Sequence, residues 1–333
     1  MNQQGKVRHR FALTGVAGYV APRHLKAIKD TGSELVAALD PHDSVGVLDS
    51  FFPNANFFTE YERFDRHLEK LRRGPITNWV NFISICSPSH LHDAHVRLAL
   101  RLGAHAICEK PLVLSPWNLD ALQELEGENP GKISTVLQLR LHPSLIELKK
   151  SIENRKYGRK FKVQLTYITS RGMWYNFSWK GMKEKSGGIA TNIGIHFFDL
   201  LIWLFGGVQS SAVHYTDSEK AGGFLELKDA EVQWFLSIDS KDLPAETVSE
   251  GKSIYRSIKV DGEEVQFSED FTDLHTKVYE EVIAGRGFGI DEARPSIELA
   301  YRIRNSELSA GTETTHPLVK KILRVEDYIN ELL

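Results

Sequence analysis

The chain has 333 residues, 41% hydrophobic and 26% charged, with a formal net charge of −3. At about 150 residues per domain, that length predicts two domains, each able to bury a core. The composition excludes collagen, coiled coil and intrinsic disorder, and the charge does not suit a general nucleic-acid binder.

The opening MNQQGKVRHR lacks an apolar run, so no secretory signal is expected. Through residue 140, short β-rich runs alternate with segments of helical period. The predicted strands are Arg10–Thr14, Glu34–Asp40, Trp79–Cys86, Ala104–Cys108 and Ser134–Leu139. The predicted helices between them are Pro22–Asp30, Glu60–Arg73, Leu91–Leu102 and Ser115–Leu125. This alternation, with near-continuous apolar strands such as WVNFISIC, predicts a parallel sheet covered by helices on both faces. The pattern then changes. Phe161–Thr169 alternates, a polar and aromatic loop covers Ser170–Ser186, and a helix is expected from Gly188 to Phe205. Leu200–Val208 is apolar but too short to span a bilayer, so it reads as a buried helix end and no membrane is expected. Strands follow at Ser211–Thr216, Gly223–Leu227, Glu231–Ile238, Ser253–Val260 and Glu264–Phe267, with Asp261-Gly262 as a two-residue hairpin turn. Helices at Asp273–Ala284 and Ser296–Ala310 complete the expectation. The fold class is therefore α/β: a Rossmann parallel sheet over 1–140, then an α+β domain over 141–333 with a mostly antiparallel, open sheet.

The first strand runs into Thr14-Gly15-Val16-Ala17-Gly18-Tyr19-Val20-Ala21, just before a helix. Backbone N–H groups and a helix N-terminus there form an anion site, and a glycine lets a pyrophosphate approach. Asp40 ends the second strand, where a carboxylate can hold both ribose hydroxyls of an adenosine. No arginine follows it, so NAD is expected rather than NADP. The fifth strand runs into Cys108-Glu109-Lys110-Pro111, which sets a lysine beyond a strand's carboxyl end. In the second half, Asn192 and His196 are spaced to share one helix face, with Asp199 one turn later. His90, His92 and His95 lack further metal-ligand spacing, and no metal is expected. Cys86 and Cys108 lie on predicted buried strands and read as core; two cysteines also suit a reducing cytoplasm.

Taken in order, Gly15–Ala21, Asp40, Ser87-Pro88-Ser89-His90-Leu91-His92, Glu109-Lys110-Pro111 and Gly187-Gly188…Gly194-x-His196-x-x-Asp199 resemble the Gfo/Idh/MocA family of NAD(P)-dependent sugar and cyclitol dehydrogenases. More narrowly, AGYVAPRH, CEKPLVLSPWN, LQLRLHP and TYITSRGMWY resemble UDP-N-acetyl-2-amino-2-deoxyglucuronate dehydrogenases. The resemblance implies NAD-dependent oxidation of the C3 hydroxyl of UDP-N-acetylglucosaminuronate, on a route to diacetamido uronic acids of bacterial surface polysaccharide such as O-antigen. It makes Lys110 and His196 the catalytic pair, either of which could be the base. It places the cofactor on Gly15, Ala17, Gly18, Tyr19, Val20, Asp40, Ser87, His90, His92, Glu109, Lys110 and Gln138. It places the substrate on Arg140, His142, Arg171, Tyr175, Asn192 and His196. Many members carry an Asp four residues before the histidine; this chain has Asn192, read as a substrate contact. The resemblance further implies a cytoplasmic homo-oligomer, dimer or tetramer, assembled through the open sheet face, with 2-oxoglutarate as an optional second acceptor. Two other readings stay open: a dehydrogenase of a free sugar or cyclitol, and a non-catalytic dinucleotide or sugar sensor.

Overall fold

The computed structural model describes residues 8–155, 158–266 and 273–332. They form two compact units, one from Met1–His142 with Asp270–Arg294, the other from Pro143–Glu269 with Pro295–Leu333. A single cut after residue 140 is therefore corrected: the chain returns to its first unit.

In the first unit, strands β1 (Arg10–Thr14), β2 (Glu34–Leu39), β3 (Asn56–Phe58), β4 (Phe82–Ile85), β5 (His105–Cys108) and β6 (Ile133–Thr135) form one sheet in the order β3-β2-β1-β4-β5-β6. Every pairing is parallel. The crossovers carry helices α1 (Ala21–Asp30), α2 (Val47–Phe51), α3 (Tyr61–Arg72), α4 (His92–Arg101) and α5 (Pro116–Glu128). In α1, Ala21, His24, Leu25, Ala27 and Ile28 are buried, the stripe that a period of 3.6 turns toward the sheet. The expected strand Ser134–Leu139 is shorter: β6 ends at Thr135, and Gln138–Leu141 form a 3₁₀ turn.

In the second unit, helix α6 (Pro143–Asn154) precedes strand β7 (Phe161–Thr169), short helices α7 (Trp174–Phe177) and α8 (Lys183–Ser186), and helix α9 (Ile195–Phe205). Strands β8 (Val208–Thr216), β9 (Lys220–Leu227) and β10 (Ala230–Ser237), helix α10 (Ala245–Ser249), and strands β11 (Ile254–Val260) and β12 (Glu263–Glu264) follow. The expected strand to Phe267 is described only to Glu264; Phe267 lies outside the described residues. The sheet order is β12-β11-β7-β10-β9-β8, antiparallel except where β7 pairs with β10. Asp261 and Gly262 both have positive φ, 50° and 90°, as a type I′ turn requires.

Helix α11 (Leu274–Ile283) explains the chain's return. Its Val278, Tyr279 and Val282 are buried with Phe11, Leu25, Ile28 and Phe82, and Phe11 stacks on both Phe82 (4.9 Å) and Tyr279 (5.6 Å). Helix α12 (Ile290–Asn305) is divided between the units at Pro295. Helix α13 (Pro317–Leu332) has no counterpart in the sequence reading. Its Val319 is fully buried with Ile168 of β7 and Phe235 of β10, so the second sheet is covered on part of the face expected to be open. The other face takes α9, where Phe198 meets Trp234 edge-on at 5.4 Å. The helical stretch Lys183–Phe205 is long and apolar enough to cross a membrane, but 72% of its apolar window is buried inside the protein, as befits a core helix.

Candidate active site

The order of the parallel sheet reverses between β1 and β4, and ligands of such sheets lie at that point, beyond the carboxyl ends. Gly15 follows β1 there with φ +84°, and a Cβ on it would stand 2.5 Å from the Cys86 carbonyl carbon and the Ser87 nitrogen. Only glycine fits. Gly15→Ala is expected to cost about 2–4 kcal/mol, combining backbone strain with steric overlap. Urea unfolding measures this, and a loss below about 0.5 kcal/mol would contradict the stated geometry.

Asp40 faces the same turn. Its Oδ2 accepts from the Ala17 N–H at 3.0 Å and its Oδ1 from the His42 N–H at 2.9 Å. The Ala17 amide is thus committed to Asp40, which braces the turn while keeping lone pairs for a further donor. Helix α1 begins at Val20 and Ala21 with no side-chain cap and no acidic residue in its first turn. Pro22 has no N–H, and the Ala21 and Arg23 N–H groups already donate to the Gly18 and Val20 carbonyls at 3.1 and 3.0 Å, so this helix start favours an anion through its dipole. Tyr19 is exposed. Gln138 carries a buried Oε1 with no hydrogen-bond partner. A glycine cradle that a Cβ would fill, an uncapped helix start, a carboxylate at the end of β2 and an orphaned amide oxygen together fit a dinucleotide.

At the end of β5, Lys110 is half-buried and joined to Pro111 by a cis peptide bond. The Glu109 side chain turns inward. It is buried, with Oε1 2.9 Å from His24 Nε2 and 3.2 Å from His275 Nε2, and with Oε2 accepting from the Lys110 N–H at 3.3 Å. Burial alone would raise its pKa, but the hydrogen bonds and charges of His24 and His275 hold the carboxyl well below its usual range. The His92 side chain turns inward likewise. Its ring is buried, with Nδ1 2.7 Å from the Pro111 carbonyl and Nε2 2.8 Å from the Ser87 carbonyl. It straps the turn after β4 to the turn after β5 and offers neither nitrogen to a ligand. Ser87 Oγ is 2.8 Å from His95 Nδ1, whereas His90 is exposed. Cys86 and Cys108 are free buried thiols whose pKa values burial pushes well up, so both are unreactive.

Sequence reasoning missed His24, His275 and Tyr279. The available signal was a polar ring on the apolar stripe of an amphipathic helix. Among the described residues, His24, Glu109 and His275 form one group whose ligand-type atoms lie within 4.8 Å of one another.

Arg140 and His142 end the first unit and are both buried. The Arg140 guanidinium donates to the Glu292 carbonyl at 2.9 Å and lies 5.4 Å from the Phe288 ring, so it anchors the returning segment.

The second unit carries the histidine. Gly194 packs where a Cβ would sit 2.6 Å from Leu236, so glycine lets the helix approach β10. Ala190–Gly194 is a π-turn, with its extra residue, leading into α9 at Ile195. Such bulges recur at functional positions. His196 is half-buried at the start of α9, and Asp199 is buried one turn on. Asn192 Nδ2 donates to Tyr175 Oη at 2.6 Å, so these two predicted residues do meet. Tyr175 itself is buried, and burial raises its phenol pKa. The exposed rings of this loop are Trp174 and Phe177. Arg171 is exposed, and Lys180 lies over the rings of Trp174 (5.5 Å) and Trp179 (5.8 Å), its pKa lowered by burial and then by the Arg171 charge.

The family description "Oxidoreductase family, NAD-binding Rossmann fold" matches residues 9–136, and "Oxidoreductase family, C-terminal alpha/beta domain" matches residues 149–242. The chain belongs to the Gfo/Idh/MocA oxidoreductase family. Among solved members, the WlbA (WbpB) dehydrogenase of Thermus thermophilus in complex with NAD and alpha-ketoglutarate is 55% identical, with TM-score 0.89, covering 93% of this chain and 99% of that one. The same enzyme in complex with NAD and UDP-GlcNAcA gives 54% identity and TM-score 0.89, with the same coverage. Curated relatives match over part of the chain. The putative oxidoreductase YteT of Bacillus subtilis is 27% identical over 38% of this chain, and the D-glucoside 3-dehydrogenase of Escherichia coli is 26% identical over 42%. These matches span only 30% and 40% of those proteins' own lengths.

Proposed function

We propose that this oxidoreductase oxidises the C3 hydroxyl of UDP-N-acetylglucosaminuronate to the 3-keto sugar with NAD. The reading is carried by 54% identity over 93% of the chain to a dehydrogenase crystallised with NAD and UDP-GlcNAcA, in a sequence that carries Lys110 and His196. Gly15, Gly18, the start of α1, Asp40 and Gln138 would hold the dinucleotide, which when bound supplies the hydride acceptor. The chain's own residues do the rest. Lys110 and His196 divide two tasks at the C3 oxygen: one removes the hydroxyl proton, the other donates a hydrogen bond to the developing alkoxide. Asn192, held by Tyr175, orients the sugar. The substrate carries a diphosphate and a carboxylate, so a chain of net charge −3 must attract it locally. Arg171 supplies a planar donor fork for such an anion, and Trp174 and Phe177 offer exposed faces for stacking.

By the same reading the enzyme is a cytoplasmic homo-oligomer serving bacterial surface-polysaccharide synthesis, and 2-oxoglutarate re-oxidises the reduced cofactor in place. A retained Lys110 and His196 weigh against a sensor, which needs no proton acceptor.

Incubation of the purified protein with NAD and UDP-N-acetylglucosaminuronate tests the reading. NADH absorbance and a 3-keto product are expected; turnover of free sugars or cyclitols alone would replace the UDP-sugar assignment. Arg171→Ala is expected to raise KM for the uronate by about 10–100-fold, the worth of a charge-assisted hydrogen bond pair. The same variant should leave KM for UDP-N-acetylglucosamine, which keeps the diphosphate but lacks the carboxylate, within about threefold. Equal losses for both substrates would remove Arg171 from carboxylate binding.

A further inference from the structure

Glu109 uses both carboxylate oxygens, and neither faces solvent freely. With the carboxyl ionised, His24 and His275 must both donate their Nε2–H to Oε1, at 2.9 and 3.2 Å. Burial lowers the His24 pKa, and in the neutral ring with Nε2–H donating, Nδ1 accepts. The Tyr279 hydroxyl lies 2.7 Å away and donates to it. The Ser84 hydroxyl, 2.6 Å from Tyr279 Oη, then has one remaining orientation and donates in turn. The chain of hydrogen bonds thus has a single polarity, anchored by one negative charge. On its other side, Glu109 Oε2 takes the Lys110 backbone N–H at 3.3 Å.

The groups come from four places in the first unit: α1, which starts at the glycine turn, the strand β4, the end of β5, and the returning helix α11. His24 and His275 are buried and make no use of solvent. His275 and Tyr279 also lie outside both matched family segments, residues 9–136 and 149–242. Among the described residues, the network's backbone contact is the Lys110 N–H, while His275 Nδ1 is buried with no hydrogen-bond partner.

We infer that His24 and His275 are positioning residues that clamp Glu109 and thereby fix where Lys110 stands. This rests on the proposed role of Lys110. Without either imidazole, a buried carboxylate loses a donor and turns to find another, and the adjacent residue moves with it. Misplacement by about 1 Å costs on the order of 100-fold in rate.

Three variants test the clamp, with kinetics in NAD and UDP-N-acetylglucosaminuronate. His275→Leu should lower kcat by about 10–100-fold while KM for NAD stays within about twofold. His275→Gln keeps an N–H toward Oε1 and should recover kcat to within about fivefold of wild type. Glu109→Gln keeps the volume but turns an NH₂ toward the Lys110 N–H, so it should lose kcat even if the leucine variant does not fold.

A readout independent of substrate is the ¹³C resonance of reductively methylated Lys110, assigned by its absence from Lys110→Met. This resonance should shift in Glu109→Gln. Unchanged kcat and an unmoved resonance in a wild-type enzyme that does turn over would overturn the clamp. So would a glutamine variant no better than leucine. About one zinc per chain in the as-purified protein, lost in His275→Leu, would also overturn it in favour of a metal on the same three side chains. If wild type makes no NADH yet the resonance moves, the clamp stands and the substrate reading falls.

Discussion

Lys110→Met is expected to lower turnover by about 10³-fold, and His196→Asn by a similar factor, while NAD still binds with near-wild-type affinity. A positioned proton donor or acceptor is worth about 10²–10⁴-fold, and hydride transfer from an alcohol stalls if its hydroxyl proton cannot leave. Methionine keeps the reach of lysine without its ammonium group, and asparagine keeps a donor without a titrating ring, so each variant isolates chemistry from packing. The pH profile then separates the two tasks. An ordinary histidine titrates near about 6.5 and an ordinary lysine near about 10.4. A rising limb in kcat/KM that disappears only in His196→Asn assigns proton removal to the imidazole; one that disappears only in Lys110→Met assigns it to the amine. A variant that binds NAD and keeps near-wild-type turnover removes its residue from the mechanism.

The parallel sheet was legible because its strands announce themselves locally. Buried on both faces, β1 and β4 read as near-continuous apolar runs. The hairpin at Asp261-Gly262 was legible for the same reason: two positive φ values demand that dipeptide. The failures all concern partners distant in the chain. Helix α11 was found as a helix but assigned to the wrong unit, because nothing in LHTKVYEEVI says that its stripe meets Phe11, some 270 residues earlier. Helix α13 was missed, and with it the cover over Ile168 and Phe235.

The site divides along the same line. Gly15, Asp40 and Lys110 were proposed from motifs whose meaning is local. Their supporting residues were not, since His24 and His275 stand 85 and 166 positions from Glu109. Glu109 and His92 were read as ligand contacts because they adjoin the right loops. Their side chains turn inward instead, to hold those loops in place. Much of a binding site's specification lies in such inward-facing support.

Other buried imidazoles make the protein sensitive to acid from near pH 6.5 downward, before most carboxylates protonate. His95 and His316 both have pKa values lowered to about 4, each by burial first. His95 is set against Ser87 and stacked with Tyr61 at 5.4 Å, and the neighbouring His92 and His90 lower it further. His316 accepts from the Leu318 N–H at 3.2 Å and lies 3.0 Å from Thr166 Oγ1, so its Nδ1 caps the start of α13. Protonating that nitrogen removes the acceptor.

The sign follows from linkage. The unfolded chain takes up these protons near pH 6.5, the folded chain only near 4. Stability is therefore full above about 6.5 and falls as the pH drops toward 4. Each histidine accounts for about 3 kcal/mol over that interval, a large part of a typical stability of about 5–15 kcal/mol. His24, His92 and His214 shift the same way, again through burial.

The urea midpoint is thus expected to fall steeply between pH 6.5 and 4.5, before most carboxylates protonate. His316→Asn keeps an acceptor for Leu318 but does not titrate, and it should flatten the profile for loss of α13 by about 3 kcal/mol. A midpoint constant over that interval in the parent protein would mean that these histidines titrate normally in the fold, and that burial does not keep them neutral.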